Sequence, residues 1–420
     1  MIAAALFLLM VVLLLLRQNL FVILGCVTAF AYFMFAAEPL DGIILDAWSA
    51  LNKDILLSVP LYVLAGNIMA SGSIADRLIR FMRAVTGPIP GGLAAAAILS
   101  CAVFAAVTGS GTVTLVAVGA VMYPALLEAG YPKRYAIGAL CAAGTLGVII
   151  PPSIPLILYG VMTRTSIADL FLAGIGPGLL LTFALIGYSI WRNRGNRGAD
   201  WSLTESIAAL RQGFWALLMP VLILGGIYSG IFTPTESAAV AVVYALLVEL
   251  LIYRDLRVNE LQLIVVQTGR LLGALFPVLM LAFSLNMFLT YQQVPTQLVA
   301  WLGERVSDPV TMMVGTNVFL LLIGCLMDIG SAILVLAPML APLAADNGYS
   351  PLHFGVIMVV NLEIGYLTPP LGLNLIVAMS VFQESFWEIC RAVLPFMLLM
   401  LGCLMLISFW PALTMMFINP

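Results

Sequence analysis

Long apolar runs follow one another almost from end to end of the chain, each closed by a short cluster of Arg, Lys, Asp, Asn, Gly or Pro. A helix rises about 1.5 Å per residue, so a bilayer core about 30 Å thick takes about 20 such residues to cross. Full crossings are expected on that measure at 1–16, 20–37, 55–70, 135–163 and 170–191. A second set is expected at 212–231, 236–253, 268–291, 352–382 and 391–418. The stretch 1–16 has no basic start and no small-residue cleavage site, so it reads as a span and not as a removable signal. Interfacial stretches at 38–54 and 254–267 precede the third span of each set.

Between the third and fourth span of each set lies an apolar stretch broken in its middle. Residues 93–107 and 112–128 flank the tip Thr108-Gly109-Ser110-Gly111-Thr112. Residues 310–326 and 331–346 flank Met327-Asp328-Ile329-Gly330-Ser331. Arms of about 15 residues around a glycine-bearing tip suit re-entrant hairpins, whose non-helical backbone is tolerated only inside protein or a wet cavity. The alternative is two ordinary short spans in each place.

The two sets read as copies. A shift of 218 residues aligns Pro124 with Pro342, Gly130-Tyr131 with Gly348-Tyr349, Gly147 with Gly365, and Pro151-Pro152 with Pro369-Pro370. These are residues that punctuate structure, and Pro-Pro occurs nowhere else in the chain. Five crossings per copy is an odd number, so the second copy enters the membrane from the opposite side, the inverted-repeat plan of many secondary transporters. The expected fold is therefore an all-α polytopic membrane protein. Residues 1–191 form repeat one, 192–211 a cytoplasmic linker and 212–420 repeat two, each repeat holding five spans and one hairpin. Charge supports this threading independently. With both termini periplasmic, only Lys53, Arg164 and Arg305 of the 17 basic residues fall outside, and the other fourteen fall at the cytoplasmic side.

Composition narrows the function. The chain is 63% hydrophobic and 9% charged, where a soluble domain carries about 25% charged residues. A net charge of −3 offers no basic face to nucleic acid. Six cysteines stand singly in apolar segments with no CxxC pair, as buried free thiols do. His353 is the only histidine, which excludes His-rich metal chemistry. No GxxxxGK[ST] motif is present, so the chain does not hydrolyse ATP by P-loop chemistry.

Candidate chemistry lies at the paired prolines. Proline removes a backbone donor and clashes with the preceding turn, so 135–163 and 352–382 are each expected as helix, break, helix, interrupted at Pro151-Pro152 and Pro369-Pro370. Each break frees carbonyls near mid-membrane, and the hairpin tip beside it adds more. With nearby hydroxyls these make an oxygen cage suited to Na⁺, while half-helices starting there aim positive N-termini at a carboxylate. Kinks that merely bend packed helices are the bland alternative. Asp328 and Glu363 sit deep in apolar sequence, where an ionised carboxylate costs roughly 2.5–3.5 kcal/mol on the lenient insertion scale. Each is either a cation ligand or proton carrier, or a packing carboxyl paired with Asn317, Asn361 or Asn374. Thr233-Pro234-Thr235-Glu236 is a capping box opening the seventh span, which a structural role explains fully.

Four separated motifs carry a family resemblance. They are Gly230-Ile231-Phe232-Thr233-Pro234-Thr235-Glu236-Ser237, Asp169-Leu170-Phe171-Leu172-Ala173-Gly174, Ile150-Pro151-Pro152-Ser153-Ile154-Pro155, and Leu367-Thr368-Pro369-Pro370-Leu371-Gly372-Leu373-Asn374. In this order they resemble the large membrane subunit of tripartite ATP-independent periplasmic (TRAP) transporters, from about residue 50 onwards. The resemblance implies an elevator-type, Na⁺-driven importer of an organic acid in a bacterial inner membrane, with a scaffold and a moving transport domain. It implies a small membrane subunit of about four spans and a periplasmic binding protein as partners. Carried over, it places Na⁺ near Ser110, Gly111, Thr112, Thr145 and Gly147, and near Asp328, Gly330, Ser331, Gly365 and Thr368. Substrate is expected at Thr112, Ser153, Ser331 and Asn374. The chain departs from the pattern at Gly111-Thr112-Val113-Thr114-Leu115, where many members carry an acid, and at Ile329-Gly330, where many carry Pro-Thr. Two rivals remain: a stand-alone Na⁺/carboxylate symporter, and an intramembrane enzyme. The second would need a reactive constellation, and the sequence contains none. An ATP-driven permease subunit would need a coupling helix, for which 192–211 is the one candidate.

Overall fold

A computed structural model describes residues 2–16, 18, 20–35, 41–195, 202–294, 296–297, 300, 308–369 and 372–418. These residues form helices and short turns with no strand among them. Among them, nine helical segments are long and apolar enough to cross a membrane. Helix is the form such sequences take in lipid, because it satisfies every backbone donor and acceptor within one segment. The chain is an all-α multi-pass membrane protein.

The N-terminal helices α1 (Ile2–Leu15), α2 (Leu20–Phe35) and α3 (Asp41–Leu51) lead to a 3₁₀ turn and α4 (Ser58–Ser71). Next come α5 (Ile74–Thr86), then α6 (Gly92–Thr108) and α7 (Gly111–Glu128), which form the first helical hairpin. The first interrupted helix follows as α8 (Lys133–Ile149) and α9 (Ile154–Thr163), then α10 (Ile167–Arg192). The second half opens with α11 (Leu203–Tyr228), α12 (Pro234–Leu247) extended by a π-turn at Val248–Tyr253, and α13 (Val258–Tyr291). Its hairpin is α14 (Pro309–Gly324) and α15 (Ile329–Asp346), and its interrupted helix is α16 (Pro351–Gly365) and α17 (Leu373–Phe382). The chain ends in α18 (Phe386–Phe409) and the single turn α19 (Ala412–Met415).

Three elements differ from the sequence reading. The stretch 254–267 is not a separate interfacial segment. Its residues from Val258 onward are one helix with the next span, 34 residues long. Nothing between 258 and 276 breaks a helix, and Glu260 accepts from the Arg257 backbone N–H to start it. The last span is Phe386–Phe409 and not 391–418, ending where Trp410-Pro411 cannot continue it. Helix α5 had no counterpart in the reading. It is amphipathic, burying Ile74, Leu78, Ile79 and Met82 while Arg80 and Arg83 face outward. The capping box is present as read: the Glu236 N–H donates to Thr233 Oγ1 (3.2 Å) and the Thr233 N–H to Glu236 Oε2 (2.8 Å). Pro370, Arg17, Arg197, Arg305 and residues 36–40 lie outside the described residues.

Packing divides the helices. α4 lies on α12 and α13, and α2 and α3 lie on α13. Each hairpin lies along its own interrupted helix, α6 and α7 on α8, α14 and α15 on α16. Across the halves, the return arm α7 packs on α17 and the return arm α15 packs on α9. Each return arm therefore rests against the short helix that follows the other half's break.

Candidate functional site

The first tip is Gly109-Ser110, between α6 and α7. Gly109 takes a left-handed conformation (φ +59°), and a side chain there would come within 2.8 Å of the Pro152 carbonyl oxygen. Gly147, one turn before the break, has the same role from the other side. A Cβ there would lie 2.5 Å from the Ser110 carbonyl oxygen and 2.6 Å from Thr114 Oγ1. Tip and break are thus in backbone contact, which only glycine permits. Hydroxyls gather there: Ser110 Oγ and Thr112 Oγ1 are 3.1 Å apart, and Thr108 Oγ1 and Thr114 Oγ1 are 2.9 Å apart.

The second tip repeats the contact with different chemistry. Gly365 occupies the place of Gly147, and a Cβ on it would lie 2.6 Å from the Gly324 carbonyl carbon. Asp328 is the N-cap of α15, accepting from the Ser331 N–H (2.9 Å) and from the Ser331 hydroxyl. The Ile329 N–H donates to the Tyr366 hydroxyl oxygen at 2.7 Å, tying this tip to the start of the second break. Gly330 faces Leu158 of α9.

Glu363 joins the two assemblies. It is on α16 and fully buried, yet a Cβ on Gly111 of the first tip would lie 2.7 Å from its Oε1 and 3.2 Å from the Gly144 carbonyl oxygen. The Asn374 amide donates to the same Oε1 at 3.0 Å. Among the described residues no ion pair includes Glu363. Of the three asparagines offered as partners for the buried acids, Asn374 takes that role. Asn361 and Asn317 bond to each other (2.7 Å), and Asn317 continues to Ser408 (3.1 Å). His353 meets that network at the Ser408 carbonyl oxygen (3.3 Å from Nε2), bonds to Thr414 Oγ1 through Nδ1 (2.8 Å), and is a buried structural group.

The expected site residues therefore divide. Ser110, Gly111, Thr112 and Gly147 meet at the first tip; Asp328, Gly330, Ser331 and Gly365 meet at the second. Two hydroxyls turn elsewhere. Thr145 Oγ1 donates to the Ala142 carbonyl (2.6 Å) and lies 4.0 Å from Met400 Sδ on α18. Thr368 Oγ1 donates to the Ile364 carbonyl (3.0 Å) and approaches Met397 Sδ on the same helix (3.4 Å). Ser153 is buried and caps α9 by accepting from the Leu156 N–H (3.3 Å). Pro151 and Pro152 stand in the first break as expected, and Pro369 is exposed at the second. The contacts of Gly144, Tyr366 and Glu363 were missed by sequence reasoning. Helices α8 and α16 are buried all round, so their apolar pattern does not say which face meets a tip.

An all-helical multi-pass protein in which two interrupted helices each receive a hairpin tip has the architecture of a membrane transporter. Its backbone resembles the solved YdaH transporter of Alcanivorax borkumensis, with a TM-score of 0.62, 16% identity, and 88% and 86% of the two chains covered. Residues 7–413 match the family model of the tripartite ATP-independent periplasmic transporter, DctM component, and the chain belongs to that family. It is 39% identical over 395 residues to the C4-dicarboxylate TRAP transporter large permease protein of Pseudomonas aeruginosa, covering 93% of this chain and 92% of that one. The Ruegeria pomeroyi large permease for ectoine and 5-hydroxyectoine is 34% identical, with 97% of each chain covered. The isethionate permease DctMQ of Oleidesulfovibrio alaskensis is 38% identical over 383 residues, 90% of this chain and 60% of that one.

Proposed function

We propose that this chain carries a small organic acid across a bacterial inner membrane, coupled to inward movement of Na⁺, by an elevator-type displacement of the hairpins and interrupted helices. The observation that carries this reading is the lodging of each hairpin tip on its own broken helix, with the return arms crossed onto the other half. That arrangement fits two inverted repeats of five spans and a hairpin each, at 1–191 and 212–420, joined by 192–211.

The donor sets fit a hard monovalent cation. Hydroxyls and carbonyls of Ser110, Thr112 and Thr114 converge at one tip, and the Asp328 carboxylate with Ser331 at the other. Oxygen ligands of this kind suit Na⁺ and not a soft metal. The tips start helices α7 and α15, and the positive ends of these two helices favour an anion between the two ion sites. Thr112, Ser331 and Asn374 are the residues assigned to the substrate there. The named substrates of relatives include C4-dicarboxylates, isethionate and ectoine, so a small dicarboxylate is the first candidate. A small membrane subunit and a periplasmic binding protein complete the assembly. The relative named DctMQ, of which this chain covers 60%, fits a fused small subunit.

The test is uptake by the complex in proteoliposomes, with the substrate first found by a thermal-shift screen of its binding protein. Uptake should require the binding protein and rise with an inward Na⁺ gradient; indifference to that gradient overturns the coupling. Thr112→Ala and Asp328→Ala should reduce Na⁺-dependent uptake far more than membrane insertion.

A further inference from the structure

Helix α5 is the chain connection between α4, which lies on α12 and also touches α6 and α7, and the first hairpin. Its attachment is lopsided. At its N-terminus the backbone N–H groups of Ser73 and Ile74 donate to Glu249 Oε2 (3.3 Å) and Oε1 (3.0 Å). Glu249 is fully buried in the π-turn that extends α12. The Ser73 side chain, in the N-cap position, makes no capping bond of its own. The preceding residue is Gly72, and the Glu249 carboxyl fills the space a side chain would take there. A carboxylate distant in sequence thus supplies the cap that α5 lacks, where the helix dipole favours negative charge.

Further ties continue along the helix. Arg77 Nη2 pairs with Asp255 (2.9 Å), and its guanidinium lies over the Tyr253 ring, 3.9 Å from the centroid. Tyr253 in turn donates to the Gln212 carbonyl on α11 (2.8 Å). Near the far end Ser206 of α11 donates to the Ala84 carbonyl (3.3 Å). The exit from α5 has no such ties. Between Thr86 and Gly92 the bonds are local: Ile89 N–H to Thr86 O, Gly92 N–H to Ile89 O, and Thr86 Oγ1 to Gly92 O. Pro88, Ile89 and Pro90 are exposed, and Gly91 has φ +72°.

We propose that Glu249 is a positioning residue that fixes α5 to the α11–α12 framework. Any displacement of the first hairpin is then taken up in the Gly87–Gly92 turn and along the α5–α6 contact, not at the α4–α5 corner. This rests on the displacement reading above and adds to it the place of the joint. Helix α6 suits sliding, since Ala94 to Ala97, Ala102 and Ala105 leave it no large knobs over much of its length.

The experiment measures spin-label distances in the assembled complex, with and without Na⁺ and substrate, in a background whose native cysteines are replaced. One pair is Arg80→Cys with Leu247→Cys, from α5 to α12. The other is Arg80→Cys with Val116→Cys, from α5 to α7. All three positions are exposed. The first distance should hold between conditions while the second shifts. In Glu249→Gln one acceptor becomes a donor facing a donor, so the first distance should broaden and uptake fall by roughly tenfold. Glu249→Ala with a Gly72→Asp partner, which returns a carboxylate to the same space, should recover part of the sharp first distance. A change of the α5–α12 distance with a constant α5–α7 distance overturns the proposal and leaves the displacement reading standing. Constancy of both distances during active uptake overturns the two together. Wild-type uptake and distances in Glu249→Gln overturn the role of Glu249 alone.

Discussion

Gly147 and Gly365 are the residues on which the two tip contacts depend, and neither has a positive φ. Their requirement is space. Gly147→Ala would push a methyl to 2.5 Å from the Ser110 carbonyl oxygen, and Gly365→Ala to 2.6 Å from the Gly324 carbonyl carbon. Both neighbours are backbone, so relief comes from moving the tip off the break. Such overpacking costs about 1–3 kcal/mol, which is about 5- to 160-fold in an equilibrium that places the tip. The expected outcome is loss of Na⁺-dependent uptake with membrane insertion retained. Gly187→Ala is the control, since nothing lies within 4 Å of its added methyl. Uptake alongside thermal unfolding measures this, and equal behaviour of all three variants would dissociate tip contact from transport. At this scale the sequence was readable where a residue type has one use. Pro151-Pro152 marked a break, and Thr233 with Glu236 marked a cap. It was not readable where a residue type has several uses, because a hydroxyl on a fully buried helix can face a tip or its own preceding carbonyl. Thr145 does the latter. The approach of Glu363 to Gly111 joins positions 252 residues apart (363 − 111), and no local pattern encodes that.

Among the elements, α5 shows how an amphipathic helix can be present in a sequence and be overlooked in an apolar chain. Ile74, Leu78, Ile79 and Met82 recur at helical spacing opposite Arg77, Arg80 and Arg83. Thirteen residues are too few to span a bilayer, so a reading organised by crossings passes over them. Helix α13 is the opposite case, since only a change of polarity, and no breaker, separates its exposed first turns from the span that follows. The attachment of α5 carries a pH dependence. The Ser73 hydroxyl and then the Arg77 guanidinium hold the Asp255 carboxyl below its usual range. A depressed folded pKa contributes stability above the unfolded value, about 3.9, and loses it as pH falls through the lower folded one. Hydrogen-exchange protection of residues 74–86, relative to the intrinsic rate at each pH, should therefore be insensitive to this pair from neutral pH down to about 4 and fall only below it. Asp255 is exposed enough for salt to screen the pair, so the effect should shrink at high ionic strength. Asp255→Asn should remove that acid step, and an unchanged profile in this variant would assign it to another group.

For the whole molecule the decisive matter is depth. Helices α6 and α7 have 17 and 18 residues, α14 and α15 have 16 and 18. At about 1.5 Å per residue these come to about 24–27 Å, so length alone allows either a hairpin or two short spans. The contacts favour the hairpin. The first tip rests on Pro152, in a break 17 residues after α8 begins and ten before α9 ends. If the 31-residue run Lys133–Thr163 crosses the membrane, that break and the tip on it are inside the membrane and not at its surface. The second tip, on Gly365, follows by the same argument. With the opposite entry of the two halves proposed above, two full spans in each place would instead put the tips at opposite surfaces. Ser110→Cys and Gly330→Cys in a background lacking native cysteines separate the two cases. A membrane-impermeant thiol reagent applied from either side should react slowly at both positions, and Na⁺ should slow it further by holding the tips on their breaks. Rapid reaction at position 110 from the periplasmic side and at 330 from the cytoplasmic side, unchanged by Na⁺, would place the tips in water. The oxygen atoms gathered at Ser110, Thr112, Asp328 and Ser331 would then face bulk solvent, where they could not strip an ion of its hydration shell.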